Sequence, residues 1–200
     1  MSLRLSGGRK LVSPAGQVAR PTPARLRLAV MNILAGRLAG SAWLDLFCGS
    51  GVMACEALQR GAAQVVAVDQ DRRMVATARR NLEAVAQGVA TGPGLAPLVV
   101  QREVIGWLAS GIQGSGITGS GIQAPNADGF DLIYADPPYA AGLYGKVAAA
   151  VAAGGWLRPE GLMLWECSTK EIPPVPVGWE LKDQRPYGSS TLLQLRQRAA

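Results

Sequence analysis

The sequence predicts an α/β protein built on a mostly parallel, doubly wound sheet. Short apolar runs alternate with segments whose apolar residues recur at helical spacing, as in strands joined by crossover helices. A Gly-x-Gly turn links the first run to a helix, and the last two runs are expected to pair as an antiparallel hairpin. The chain has 200 residues, of which 48% are hydrophobic, enough for one sizeable core with a small appendage.

The strands are predicted from apolar runs bounded by glycine, proline or acidic residues. The runs assigned to the parallel part of the sheet span residues 42–47, 65–68, 97–101, 130–135 and 162–166. The predicted hairpin spans residues 179–183 and 191–196. Helices are predicted over residues 51–60, 71–87 and 143–153. An earlier helix is expected to begin at Thr22, a good N-cap residue, with Pro23 in its first turn.

A short repeat separates the third and fourth strands. Residues 110–123 repeat glycine, serine and isoleucine and carry no charge. We predict a flexible surface insertion between a helix and the fourth strand, expanded by duplication. A functional lid is the alternative interpretation.

The amino-acid composition restricts the catalytic groups that the protein can use and indicates its cellular compartment. The chain has no histidine, which excludes a histidine general base and a Ser-His-Asp triad. The cysteines Cys48, Cys55 and Cys167 form no Cys-x-x-Cys pair, so we expect no metal site and free thiols in a reducing cytosol, with Cys48 packed rather than nucleophilic. No apolar run reaches the roughly 18 residues of a membrane helix, and no signal peptide is recognisable. We therefore expect a cytoplasmic protein with no membrane partner.

The charge is unevenly distributed. The formal net charge is +6, and arginines are concentrated before the first strand and in the helix that follows the second strand. That helix carries Arg72, Arg73, Arg79 and Arg80. A polyanionic partner is one interpretation, and an ordinary solvated surface is the other.

The first strand and its turn carry a nucleotide-binding pattern. Asp45 lies near the end of the strand, and Gly49 and Gly51 let a ligand approach a helix start that offers free N–H donors. Asp69 ends the next strand, where a carboxylate can bind ribose hydroxyls. Asp45 would repel a pyrophosphate but attract an ammonium group. S-adenosylmethionine, which has both a ribose and an amino-acid tail, therefore fits better than a dinucleotide. Capping of the following turn is the alternative role for Asp45.

The most specific motif is Asp136-Pro137-Pro138-Tyr139, directly after the fourth strand. The prolines donate no backbone hydrogen bond and keep Asp136 extended, so the carboxylate and the adjacent carbonyls form a stiff set of acceptors. An aromatic ring follows them. This arrangement suits a planar base with an exocyclic amine, because the acceptors can bind the amine while Tyr139 stacks on the base.

These motifs occur together in a known family. The turn Leu-Asp-Leu-Phe-Cys-Gly-Ser-Gly, the run Glu-Ala-Leu-Gln-Arg-Gly-Ala at 56–62, Asp69 and the 136–139 motif follow one another in that order. The segment Arg-Pro-Thr-Pro-Ala-Arg-Leu-Arg at 20–27 precedes them. The chain thereby resembles, over residues 4–196, the bacterial 16S ribosomal RNA guanine-N2 methyltransferases of the RsmD type.

The resemblance implies a Rossmann-like class I methyltransferase fold with a seven-stranded, mostly parallel sheet, a C-terminal antiparallel hairpin and a small N-terminal appendage. Residues 1–40 would form an RNA-contacting appendage with a helix, and residues 41–200 the S-adenosylmethionine-dependent domain. The implied catalytic residues are Asp136, Pro137, Pro138 and Tyr139. The implied cofactor contacts are Asp45, Phe47, Gly49, Ser50, Gly51, Asp69, Gln70, Glu103 and Val104. The implied RNA contacts are Arg20, Thr22, Arg25 and Arg27. For Glu103, the start of a helix is the alternative role.

The predicted activity is methyl transfer from S-adenosylmethionine to the N2 amine of a guanine, without a metal. The implied partner is 16S ribosomal RNA or an assembly intermediate of the small ribosomal subunit, and we expect a monomer. A methyltransferase for adenine N6 or cytosine N4 in DNA or other RNA would use the same loop, but 200 residues leave no room for a separate target-recognition domain. A dinucleotide-dependent oxidoreductase and a non-catalytic RNA-binding module are two further interpretations of the same pattern.

Overall fold

A computed structural model describes residues 3–13, 22–89, 96–115, 117, 129–138 and 142–198. Strands and helices alternate in these parts of the chain. The strands are β1 (Ala42–Leu46), β2 (Gln64–Asp69), β3 (Leu98–Gln101), β4 (Phe130–Ala135), β5 (Leu157–Ser168), β6 (Trp179–Tyr187) and β7 (Ser190–Gln197). The helices are α1 (Ala24–Ile33), α2 (Ala35–Leu38), α3 (Val52–Gln59), α4 (Arg72–Ala86), α5 (Val104–Ala109), α6 (Gly111–Gly114) and α7 (Tyr144–Ala153).

The strands form one seven-stranded sheet in the order β3-β2-β1-β4-β5-β7-β6. The strands β3, β2, β1, β4 and β5 pair in parallel, and β7 pairs antiparallel with both β5 and β6. The chain order reverses between β1 and β4, and in open α/β sheets ligands bind at the carboxyl ends of the strands beside such a point. The predicted fold class, including the C-terminal hairpin, is confirmed.

Both faces of the sheet are buried at its central strands, such as β1. Trp43 packs in one hydrophobic cluster with residues of α1, α3 and α4, whereas its neighbour Leu44 packs in a second cluster with residues of α5 and α7. Successive residues of a strand point to opposite faces, so a strand that is buried on both faces needs an unbroken apolar run. This requirement explains why the parallel strands could be recognised as continuous apolar segments.

The N-terminal segment packs on the same core as the sheet. Leu5 and Leu11 belong to the cluster that contains Trp43. Glu56, fully buried in α3, accepts hydrogen bonds from the N–H of Ser6 at 2.8 Å and from its hydroxyl at 2.6 Å. Residues 3–13 are therefore held against α3 by apolar packing and by one buried carboxylate.

The predictions for the start of α1 and for the Gly/Ser/Ile repeat were wrong. Helix α1 begins at Ala24 with Pro23 at the N-cap, rather than at Thr22. The described part of the Gly/Ser/Ile repeat is not an open surface loop, because α6 forms there and both Ile112 and Ile117 are buried. Small residues let this turn approach α7 closely enough for the N–H of Ile112 to donate to the carbonyl of residue 154. The remainder of the repeat lies outside the described residues.

Candidate active site

The strand register brings the predicted acids to one edge of the sheet. Leu46 of β1 lies opposite Val68 of β2 and Ala135 of β4. Asp69 and Asp136 directly follow those two partners, so both carboxylates stand at the carboxyl ends of strands that flank β1. Both residues are half-buried. The sheet thus places the predicted ribose acid and the predicted catalytic acid on either side of the first strand.

Asp45 is a buried acid beneath this edge. It is 2% exposed, and its Oδ2 accepts a hydrogen bond from the N–H of Ala54 in the first turn of α3 at 3.0 Å. Burial raises the pKa of Asp45 to about 8, the Ala54 hydrogen bond opposes the rise, and the charge of Asp69 adds to it. The capping contact is therefore present. A bound cation would in addition stabilise the charged form of the carboxylate, which burial disfavours.

The turn after β1 is conformationally strained and held by Asp69. Phe47 has a positive φ of 59°, which is uncommon for a residue with a side chain. Asp69 Oδ2 accepts a hydrogen bond from the N–H of Gly49 at 2.9 Å, and its Oδ1 accepts one from the N–H of Asp71 at 2.8 Å. Strain of this kind persists only where the surroundings fix it, and it is often found at ligand sites.

The two glycines of the turn serve different purposes. Gly49 has φ of 52°, and a Cβ added to it would meet no atom within 4 Å. Gly51 has φ of 73°, and its Cβ would lie 3.0 Å from the Cβ and 3.2 Å from the Cα of Ala78 in α4. Gly49 therefore borders open space in which a ligand could approach the backbone, whereas Gly51 allows α4 to pack against the turn.

This difference predicts unequal costs of substitution. We expect Gly51→Ala to lower the free energy of unfolding by about 3 kcal/mol, because it adds a tight contact with Ala78 to the strain of a positive φ. Gly49→Ala incurs the strain alone and should cost about 1 kcal/mol. Urea unfolding of both variants measures the difference. Equal losses would contradict the assignment of Gly51 to helix packing.

Glu103 and its neighbours have structural roles of their own. Glu103 caps α5, accepting from the N–H of Ile105 at 2.9 Å and from that of Gly106 at 2.6 Å. The helix-start role that the sequence left open for Glu103 is thus present. Val104 is 2% exposed, so its side chain is not available to a ligand. Gln70 is exposed beside Asp69 at the carboxyl end of β2.

The proline motif directly follows β4. Its two prolines have no N–H and therefore donate no hydrogen bond to a neighbouring strand. Pro137 is buried and Pro138 is exposed. Tyr139 lies outside the described residues. Tyr134, two residues before Asp136, is buried, and its hydroxyl donates to Glu166 Oε2 at 2.6 Å. Burial, followed by the charges of Glu166 and Asp136, raises the pKa of Tyr134 well above its ordinary value, so this hydroxyl remains a donor.

Asn81 of α4 is a site residue that was not predicted from the sequence. It is 1% exposed, and its Nδ2 donates to the carbonyls of Ser50 at 3.0 Å and Val12 at 3.1 Å. Its Oδ1 accepts from the N–H of Val12 at 2.8 Å. Asn81 therefore joins the glycine turn to the N-terminal segment. The one available signal was a polar residue on the apolar stripe of a helix, and the partners, far away in sequence, could not be inferred.

The predicted RNA contacts differ in their exposure to solvent. Arg25 is exposed on α1. Arg27 is 5% exposed, donates to the carbonyls of Thr22 at 2.8 Å and Arg4 at 2.5 Å, and lies 3.7 Å from Glu56. The prediction that Arg27 holds RNA phosphates is therefore corrected, because its guanidinium faces the interior and fixes the N-terminal segment. Thr22 is also buried, and Arg20 lies outside the described residues.

Among the described residues, no group of three or more histidine, cysteine, aspartate or glutamate residues is arranged to hold a metal ion. No helix among those residues has the length and apolarity needed to cross a membrane. Burial raises the pKa of Cys48 well above its ordinary value, which fits a packed thiol and not a nucleophile.

The family is decided by comparison with known proteins. A family model described as "Conserved hypothetical protein 95" matches residues 5–92 and 118–196. The chain belongs to this family. The conserved hypothetical protein 95 match covers the glycine turn, Asp69 and the proline motif, and it omits β3 and α5 with Glu103 and Val104. This match and the named relatives described next together confirm the resemblance to the RsmD type.

The chain is similar to several methyltransferases. Ribosomal RNA small subunit methyltransferase D of Escherichia coli (strain K12) is 29% identical over 182 residues, which are 90% of this chain and 81% of that protein. The solved structure of the putative methyltransferase yhhF from Escherichia coli is 25% identical, with a TM-score of 0.79 and full coverage of both chains. An RNA methyltransferase from Salinibacter ruber in complex with S-adenosyl-L-homocysteine shares the fold, with 14% identity, a TM-score of 0.60 and coverage of 90% of this chain and 96% of that one.

Proposed function

We propose that this protein transfers a methyl group from S-adenosylmethionine to the exocyclic N2 amine of a guanine in 16S ribosomal RNA. The observation that carries the proposal is the convergence of Asp45, Asp69 and Asp136 at the carboxyl ends of adjacent strands. The name of the Escherichia coli relative supports ribosomal RNA of the small subunit as the substrate. The N2 position of guanine is the finer part of the proposal and agrees with the RsmD type.

The site fits a cationic cofactor with a ribose. The buried carboxyl of Asp45, whose charged form a bound cation would stabilise, and the half-buried carboxyl of Asp69 suit a cationic ligand with a ribose better than the pyrophosphate of a dinucleotide. The open space at Gly49 allows a ligand to lie against the turn. The ammonium group of S-adenosylmethionine would be held at Asp45 and its ribose at Asp69. The bound cofactor supplies an electrophilic methyl group on a sulfonium. The neighbour that binds S-adenosyl-L-homocysteine supports this choice at the level of the fold.

The residues of the motif orient the nucleophile. The lone pair of a guanine N2 is delocalised into the ring, so the amine reacts poorly unless the site favours positive charge on it. Asp136 and the carbonyl of Pro137 are acceptors for the two N–H groups of the amine, and the carboxylate charge and the carbonyl dipole stabilise the nitrogen as it becomes positive. As the N–C bond forms, the S–C bond would break and S-adenosylhomocysteine would leave, and the methylated nitrogen would then lose one proton to Asp136 or to water. The rigidity of the prolines keeps these acceptors in place. The rate then depends largely on positioning.

Substrate binding requires an unpaired base and a basic surface. A base within a duplex cannot reach the end of β4, so the target guanine must be single-stranded or flipped out. Arg25 of α1 and Arg72, Arg73 and Arg80 of α4 are exposed and are the proposed phosphate contacts. Such contacts weaken as salt concentration rises.

The experiment that tests the function is a methylation assay with labelled S-adenosylmethionine on small ribosomal subunits, total RNA and DNA. The subunits come from a strain that lacks its own copy of the enzyme. We expect label in 16S RNA as N2-methylguanine, identified by mass spectrometry of nucleosides. Arg25→Gln should raise the KM for the subunit several-fold and leave cofactor affinity unchanged. Label as N6-methyladenine or N4-methylcytosine, or label in DNA alone, would overturn the proposal.

A further inference from the structure

Both tyrosines that flank the proline motif are bonded to a single residue of β5. Tyr134 lies two residues before Asp136, and its hydroxyl donates to Glu166 Oε2 at 2.6 Å. Tyr144 is the first residue of α7, and its hydroxyl donates to the main-chain carbonyl of Glu166, also at 2.6 Å. Both hydrogen bonds are buried. The start and the end of the segment between β4 and α7 are thus fixed to the same residue.

Glu166 is itself firmly held. It is 2% exposed, and its Oε1 accepts a hydrogen bond from the hydroxyl of Ser190 in β7 at 3.0 Å. Strand β5 lies inside the sheet between β4 and β7. Both carboxylate oxygens of Glu166 therefore have hydroxyl donors, so this buried acid is satisfied without a cation. It can act as a fixed point to which neighbouring elements attach.

The segment needs such anchors because of its composition. Pro137 and Pro138 have no N–H, so they cannot hold their own position by donating backbone hydrogen bonds. The tyrosine rings add packing at each end. Tyr134 stacks on Trp43 with ring centroids 6.1 Å apart, and Tyr144 packs on Trp165 at 5.2 Å. With the rings fixed in this way, the two hydroxyl hydrogen bonds determine the position of the backbone on each side of the motif.

We propose that Glu166 is a positioning residue for Asp136, with its carboxylate fixing the entry of the motif through Tyr134 and its main-chain carbonyl fixing the exit through Tyr144. The inference rests on the proposed function, in which Asp136 accepts from the reacting amine. Glu166 does not touch the substrate. It acts by keeping the Asp136 carboxylate at the position that the methyl transfer requires, and a displacement of about 1 Å can cost up to about 100-fold in rate.

The test uses variants that remove one oxygen each. Tyr134→Phe and Tyr144→Phe should each lower kcat about tenfold or more, while the KM for the cofactor stays within about twofold. Hydrogen exchange of the amides of Asp136, Gly142 and Leu143, measured without cofactor, should become faster in both variants. Ser41→Ala, which removes a buried hydroxyl that donates to the carbonyl of Leu38 just before β1, is the control and should change neither quantity.

A double-mutant cycle separates the two contacts of Glu166. Glu166→Ala removes only the side-chain acceptor, so its effect on kcat should not add to that of Tyr134→Phe but should add to that of Tyr144→Phe. Glu166→Gln keeps one acceptor oxygen and should recover part of the activity that Glu166→Ala loses. If Glu166→Ala does not fold, Tyr134→Phe and Tyr144→Phe still test the inference. If both tyrosine variants had the kcat and the exchange rates of the wild-type protein, the inference would be overturned. Absence of methyl transfer by the wild-type protein would instead count against the proposed function, and the exchange rates would still report on the anchors.

Discussion

Asp136→Ala is expected to lower kcat for methyl transfer by about 10²–10³-fold, the effect of removing one acceptor or donor aimed at developing charge. Affinity for S-adenosylmethionine, measured by calorimetry, should stay within about twofold, because the proposed role of Asp136 concerns the amine and not the donor. The half-buried position of Asp136 after β4 lets the substitution occur without a large loss of packing.

A remote acid provides the control for this experiment. Glu180 of β6 is exposed, and its side chain pairs only with that of Lys182 among the contacts described. Glu180→Ala should leave both the rate and the cofactor affinity unchanged. If Asp136→Ala retained more than about a third of the wild-type rate, the proposed role of Asp136 would be wrong, whatever the behaviour of the cofactor.

The second large effect is expected at Asp45. Asp45→Asn should weaken the binding of S-adenosylmethionine by about 10- to 100-fold, since a hydrogen bond to a charged group contributes about 1.5–3 kcal/mol. The pKa of Asp45 in the ligand-free protein is about 8, so a cation must bind at the expense of a proton. Affinity of the wild-type protein should therefore rise about tenfold per pH unit between about pH 6 and 7.5. Isothermal titration should show this dependence in the wild type and not in the variant.

The same substitution should stabilise the protein without ligand. The ordinary pKa of the aspartate is 3.8, and in the fold it is about 8, so between these values the folded state holds a proton that the unfolded state has released. The contribution of Asp45 to stability therefore falls as pH rises from about 4 to 8. Asparagine has no such dependence and still accepts from Ala54. At about pH 8 we expect Asp45→Asn to raise Tm by several degrees, at about 2–4 °C per kcal/mol. A lower Tm together with unchanged cofactor affinity would contradict both roles of Asp45.

The parallel strands were predictable because burial on both faces leaves a continuous apolar run. Strand β4 was found with its observed bounds, Phe130–Ala135. Strand β5 was predicted too short, since it begins at Leu157 and contains a proline, a glutamate and a glycine that are typical of loops. Its early residues join the sheet through a register shift opposite Phe130, which depends on tertiary pairing and has no local signal.

Site residues were predictable where a single residue type at a strand end indicates the chemistry. They were not predictable where the role depends on a contact between residues far apart in the sequence. The positions of Asp45, Asp69 and Asp136 at strand ends could be deduced from the apolar runs that precede them. The burial of Arg27 was missed, although helical spacing carried a signal for it, because Arg27 lies three and four positions before Val30 and Met31 on the buried face of α1. Its partner Glu56 could not be inferred, because the packing of α1 on α3 is set by the whole core.

Glu166 and Tyr134 show the same limit. Both were within predicted strands, but their hydrogen bond depends on β5 lying next to β4 in the sheet. The order of strands is a property of the complete fold, and a single sequence carries it only indirectly.

The most direct measurement of the central claim is a crystal structure of the protein with S-adenosylhomocysteine bound. The amino group should lie at Asp45, the ribose at Asp69, and the sulfur should face Asp136 and Pro137 across a space that admits a planar base. A sulfur atom directed away from Asp136, or a ligand with its ribose distant from Asp69, would contradict the proposed function.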